Sequence, residues 1–186
     1  MYSTAEFKKG LKIELDGVPY VIVEFQHVKP GKGGAFVRTK LKNLLAGRVL
    51  EQTFRSGERV KKPDLMEREM QYLYSEGDQY CMMDNETYEQ IMLTPEQLGD
   101  ARLWLTENLN VKILFFNRQP VAVEQPLFVE LSVAQTEPGV RGDTATGGTK
   151  PATLESGAVI QVPLFINEGD RVKVDTRTGT YIERVK

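Results

Sequence analysis

The chain has 186 residues, 40% hydrophobic and 27% charged, which is the balance of an ordinary soluble globular protein, and no apolar run approaches the roughly 20 residues of a membrane helix. A single cysteine, Cys81, excludes an internal disulfide, and a single histidine, His27, excludes a His-based catalytic triad and a His/Cys metal cluster. The net charge of −2 hides a division: residues 1–63 carry 13 Lys+Arg against 6 Asp+Glu, residues 64–126 carry 4 against 12, and residues 127–186 carry 7 against 8, so a polyanionic partner is expected for the first part alone.

Residues 1–10 have no apolar signal core, and a cytoplasmic location is expected. Leu11 to Phe25 reads as two strands about an Asp16-Gly17 turn. The stretch Val28-Lys29-Pro30-Gly31-Lys32-Gly33-Gly34-Ala35-Phe36 follows, between alternating runs at 20–26 and 36–41. It reads as a hairpin tip: Pro30 fixes φ, the glycines admit positive φ, and Lys32 stands between them. The lysine is either a solvated charge that blunts a sheet edge or a cationic probe for phosphate and ribose, open to covalent extension. No Ser or Thr follows Lys32, so the phosphate-binding loop G-x-x-x-x-G-K-[ST] is absent. Further short strands to Lys62 suggest a small closed barrel. Arg38, Lys40 and Lys42 alternate along one of these strands and are the expected RNA contacts.

Pro63-Asp64 marks a boundary. Runs at 68–74 and 78–83 pair across Glu76-Gly77-Asp78, and Cys81 reads as core. Thr94 and Pro95 open a helix as N-cap and first helical residue. That helix is expected to run on through 98–107, with Leu103 and Trp104 inward. Runs at 111–117 and 120–123 then form a hairpin through Arg118-Gln119, which makes this segment an OB-like barrel. After Pro126, residues 127–133 alternate, 137–156 read as a long exposed loop, and strands are expected at 158–163, 171–175 and 181–185 about a Thr178-Gly179 turn. The recurring hairpins hint at repeated barrel units.

Three segments then carry a resemblance. Lys-Pro-Gly-Lys-Gly-Gly-Ala-Phe at 29–36, Gly-Asp-Thr-Ala-Thr-Gly-Gly-Thr-Lys-Pro-Ala-Thr-Leu-Glu-Ser-Gly-Ala at 142–158, and Val-Pro-Leu-Phe-Ile at 162–166 with Lys-Val-Asp-Thr-Arg-Thr-Gly-Thr-Tyr-Ile-Glu-Arg-Val at 173–185 resemble the bacterial translation elongation factor P family. The resemblance spans the whole chain in order. It implies an all-β fold of three small β-barrel domains in an L-shaped, tRNA-like arrangement. Residues 1–63 would be a basic SH3-like or KOW-like barrel with the Lys32 tip loop, 64–126 an acidic OB-like barrel, and 127–186 a C-terminal OB-like barrel.

It also implies a non-enzymatic, cytoplasmic, monomeric factor without cofactor or metal. Such a factor binds the 70S ribosome between the peptidyl-tRNA and exit sites, beside rRNA and the P-site peptidyl-tRNA, and promotes peptide bonds at consecutive prolines. Lys32 matches the family's modified tip residue, so a lysine-modifying enzyme is a further implied partner. Lys29, Pro30, Gly31, Gly33 and Gly34 would shape the tip, with another residue allowed by the family at Gly34. Gly142, Asp143 and Thr144 match the loop that faces messenger and tRNA. Tyr181 and Arg184 are further candidates for RNA contact, although Tyr181 alternates like a core residue. The competing reading is a generic RNA-binding barrel protein acting on mRNA or free tRNA.

Overall fold

The computed structural model describes residues 1–139 and 148–186. Their contacts fall into two units, Met1–Glu67 with Leu114–Ala122, and Arg68–Ile113 with Val123–Lys186. No helix among the described residues is long and apolar enough to cross a membrane.

The first six strands are β1 (Tyr2–Ser3), β2 (Lys12–Leu15), β3 (Val18–Val28), β4 (Phe36–Asn43), β5 (Val49–Arg55) and β6 (Arg59–Val60). β2 to β5 form an antiparallel sheet in chain order, and β1 pairs with β6. Asp16 and Gly17 turn β2 into β3 with φ of 52° and 79°, both positive as a two-residue hairpin of this type requires. On β4, Val37, Thr39 and Leu41 are buried while Arg38, Lys40 and Lys42 are exposed, the alternation of a half-buried strand. The buried face joins Phe7, Ile13, Ile22, Phe54 and Val60 in one core, with Phe7 edge-on to Phe54 at 5.3 Å. Each such side chain contributes about 1.5–3 kcal/mol by burial, which fixes the base of the β3–β4 hairpin. β2 covers β3 only as far as Val21, so the rest of this long strand overhangs towards the tip.

The next strands are β7 (Met66–Glu76), β8 (Gln79–Asp84), β9 (Gln90–Leu93), β10 (Asn110–Phe116) and β11 (Gln119–Glu124). The last five are β12 (Phe128–Thr136), β13 (Thr149–Leu154), β14 (Val159–Pro163), β15 (Arg171–Asp175) and β16 (Thr180–Val185). The sheet orders are β11-β10-β7-β8-β9 and β14-β13-β12-β15-β16. Taken from opposite edges these are one topology, with the first strand central, the second and third to one side, and the fifth and fourth to the other. The repetition suggested by the hairpin signals is therefore present in the connectivity. Each central strand also shifts register, between Tyr72 and Tyr74 in β7 and between Val133 and Gln135 in β12. A bulge of that kind bends a strand so that it can serve two neighbours.

Three local expectations need correction. The helix α1 covers only Pro95–Leu98. Its N-cap is as expected, with Thr94 Oγ1 accepting from Gln97 N at 3.2 Å and Gln97 Oε1 accepting from Thr94 N at 2.9 Å. Gly99 then takes φ of 56°, ending the helix, and a 3-10 turn over Gly99–Leu103 leaves Leu103 42% exposed. Trp104 alone of the pair goes inward, into the core of Val129, Leu131, Leu154, Val172 and Val174. Secondly, Thr149–Leu154 is a strand and not part of a loop; its inward residues Lys150, Ala152 and Leu154 include a lysine and an alanine, so the hydrophobic alternation is muted. Thirdly, the β10–β11 turn is Asn117-Arg118, with φ of 48° and 68°, and Gln119 already belongs to β11. Cys81 is fully buried, as expected.

Candidate nucleic-acid interface

The β3–β4 ladder closes at Val28 opposite Phe36, leaving residues 29–35 as the tip. Ser56 N donates to the Ala35 carbonyl at 3.0 Å and ties the base of the loop to the end of β5. From Lys29 to Gly34 every residue is exposed. Of the tip glycines only Gly33 takes a positive φ, 97°, and only there does the backbone itself demand glycine. A Cβ added to Gly31, Gly33 or Gly34 would meet nothing within 4 Å. The glycines therefore clear space around Lys32 that the protein does not fill. Lys32 makes no hydrogen bond or ion pair with any described residue, so its ammonium is free for a partner or a modification.

Arg38, Lys40 and Lys42 share the outward face of β4, but their surroundings differ. Lys40 lies opposite Glu24 on β3 and Glu51 on β5, and its Nζ is 3.1 Å from Glu24 Oε2. Lys42 lies opposite Val21 and Val49, and Arg38 opposite Gln26 and Thr53. The Arg38 guanidinium also reaches over the Phe36 ring, 6.0 Å from its centroid. Arg38 and Lys42 thus have neutral cross-strand neighbours, while Lys40 is flanked by carboxylates. The sequence could not give this, because both carboxylates arrive from other strands by register.

Gly142, Asp143 and Thr144 lie outside the described residues. The chain on either side is anchored: Thr136 Oγ1 donates to the Pro151 carbonyl at 2.9 Å, and buried Lys150 donates from Nζ to the Glu137 carbonyl at 2.5 Å. Gly139 lies so close to the Leu164 carbonyl that a Cβ would collide with it. Tyr181 is half-buried against the core of its sheet, and burial pushes its hydroxyl pKa up, while the charge and backbone of Arg184 act the other way. Arg184 is exposed, with its guanidinium 5.4 Å from the Phe165 ring centroid and 3.9 Å from Asp170 Oδ2. No group of His, Cys, Asp and Glu among the described residues could hold a metal ion.

Comparison with known proteins matches three family models in succession. They are the elongation factor P KOW-like domain over residues 3–60, the elongation factor P OB domain over 65–123, and the elongation factor P C-terminal model over 129–184. The chain is 59% identical over 186 residues to elongation factor P of Natranaerobius thermophilus, covering 100% of this chain and 99% of the relative. It is 60% identical over 184 residues to elongation factor P of Desulfitobacterium hafniense strain DCB-2, covering 99% and 100%. Among solved structures it resembles eukaryotic translation initiation factor 5A from Methanococcus jannaschii, with a TM-score of 0.53 and 26% identity, over 67% of this chain and 91% of that one.

Proposed function

This chain belongs to the elongation factor P family, a family of translation factors, and from that membership we propose that it binds the ribosome between the peptidyl-tRNA and exit sites and promotes peptide-bond formation at consecutive prolines. Proline is a poor reactant because its ring restricts the backbone. A factor that holds the terminal nucleotides of the P-site tRNA in a reactive pose lowers the orientational part of the barrier. Lys32 supplies that hold, extended by a modification that a dedicated enzyme adds to its amine. The ribosome performs the chemistry and the factor positions the substrate, so no catalytic set is required of the chain. The basic first segment, residues 1–63, faces RNA through Arg38 and Lys42, with Lys40 partly neutralised by its neighbours. The segments 64–126 and 127–186 act as further barrels, and Gly142, Asp143 and Thr144 face messenger and tRNA. The factor works as a cytoplasmic monomer.

The observation that carries the reading is the isolation of Lys32, exposed, without a partner among the described residues, and set among glycines that the packing leaves uncrowded. The test has two parts. Intact mass of the protein from its native cell should exceed the sequence mass by one adduct, lost in Lys32→Arg. Synthesis through a Pro-Pro-Pro stretch should drop sharply for Lys32→Ala and for Lys32→Arg, because arginine keeps the charge but lacks the acceptor amine. A reporter without prolines should be made normally by both. Wild-type polyproline synthesis by Lys32→Arg would remove the modification from the mechanism.

A further inference from the structure

The two faces of the overhanging β3–β4 hairpin differ in chemistry: Arg38 and Lys40 point to one, and two aromatic rings to the other. Phe25 lies opposite Thr39, and His27 opposite Val37. Cross-strand neighbours share a face, so both rings lie on the side of the sheet that forms the core further down. Their partners Val37 and Thr39 are buried in that core, but on β3 itself Phe25 is 38% exposed and His27 is exposed. The rings meet edge to face, with centroids 5.7 Å apart and planes at 89°. Such a pair leaves the ring that offers its edge with both of its own faces free of the other.

Three observations fit this pair to a ligand. β2 stops at Lys12 opposite Val21, so no named strand covers β3 beside Phe25. The cross-strand neighbours on this face are Thr39, Gln52, Val37 and Phe54, so the rings' own partners across the sheet carry no charge. Cations frame the pair: Lys9, Arg38 and Lys40 line the same shallow groove as Phe25, where they outnumber Glu24 and Glu51, and exposed Lys29 follows His27 towards the tip. An exposed aromatic platform bordered by ammonium groups is the arrangement that binds an unpaired nucleotide, with the base on the ring and the phosphates on the cations.

We propose that Phe25, supported by His27 and bordered by Lys9 and Lys29, is a stacking station for an unpaired nucleotide in a single-stranded RNA 3′ overhang, the strand whose terminus Lys32 serves. The assignment of that strand rests on the function proposed above. The span is consistent with it. Val28 lies three residue steps beyond Phe25 along β3, and at about 3.3 Å per residue the platform sits roughly 10 Å behind the start of the tip. One end of a short overhang can then rest on Phe25 while the other meets the lysine.

The full-length protein is titrated at low ionic strength against an end-labelled RNA stem-loop with a single-stranded 3′ overhang and against the same stem with a blunt end, read by fluorescence anisotropy. Wild type should prefer the overhang by about tenfold, the scale of one base stacked on an aromatic ring. An overhang with abasic sugars should bind like the blunt stem. Phe25→Leu keeps an apolar side chain of similar size at a partly exposed position and should fold normally while losing the preference; Phe25→Tyr should retain it. Equal wild-type affinity for overhang and blunt stems overturns the proposal, as does a preference that survives in Phe25→Leu or in the abasic overhang. These outcomes are separate from the tip reading: if Lys32→Ala alone abolishes polyproline synthesis and Phe25→Leu changes nothing, the stacking station falls and the role of Lys32 stands.

Discussion

The tip glycines offer a way to separate what the fold requires from what a partner requires. At Gly33, φ of 97° puts an L-residue in a region that costs about 1–2 kcal/mol, so Gly33→Ala should lower unfolding stability by that amount even though its Cβ has open space. At Gly31 and Gly34 the φ is ordinary and a Cβ meets nothing. Alanine there restricts the unfolded chain without straining the native one, and should raise stability by about 0.4–1 kcal/mol. Urea denaturation followed by circular dichroism, with a common slope across the series, reads all three values. Function should follow another order. Gly31→Ala, although more stable than wild type, should slow synthesis through Pro-Pro-Pro, because the added methyl group sits beside Lys32, where the proposed function brings RNA against the backbone. Gly34→Ala should stay near wild type, because it stands one residue further from Lys32 and its φ is ordinary. If Gly31→Ala is both stabilised and fully active, the cleared space around Lys32 has no occupant and the crowding argument is refuted.

Charge reversal on β4 should be unequal: Lys42→Glu should weaken ribosome association more than Lys40→Glu, which already sits between two carboxylates, and the gap should narrow as salt rises; pelleting of the factor with ribosomes at two salt concentrations measures it. Asp84 is held below the ordinary carboxylate range, first by the backbone N–H groups of Glu86 and Thr87 and then by Arg68 at 2.9 Å. A depressed folded pKa means stability that is complete above the unfolded value and is lost as pH falls through the folded one, so Asp84→Asn should lower the midpoint of thermal unfolding at neutral pH and flatten its decline in acid. Arg118→Gly should raise stability by about 1 kcal/mol in denaturant titration, because φ of 68° at the second position of a two-residue hairpin suits glycine and strains arginine.

Much of the fold was legible because its signals are local. Asp16-Gly17, the alternation of β4 and the Thr94-Pro95 helix start are each decided by residues within one turn or strand. Two of the three failures share a physical cause, which is that the deciding contact lies far away in the chain. Leu103 and Trp104 are adjacent and both apolar, yet only Trp104 finds a pocket, supplied by strands beyond residue 128. β13 carries Lys150 inward, and that becomes tolerable because Glu137 offers a carbonyl across an intervening stretch of chain. The hairpin turn at Asn117-Arg118 was missed by one residue because arginine there contradicts the usual turn chemistry.

The candidate site divides along the same line. A lysine among glycines between two strands can be read from nine consecutive residues, whereas the electrostatic value of each cation on β4 cannot. Lys40 and Lys42 are two positions apart, equally exposed and identical in type. One is matched with Glu24 and Glu51 and the other with Val21 and Val49. The bulge at Val23 helps set this register, because a regular strand with Val23 paired to Lys40 would move every later residue of β3 by one and exchange its faces. Phe25 would then turn outward beside the lysines of β4, and Glu24 would turn towards the core. That one bulge therefore decides which side of the hairpin offers aromatic rings and which offers paired charge, and it does so beside the tip that the proposed function gives to an RNA strand.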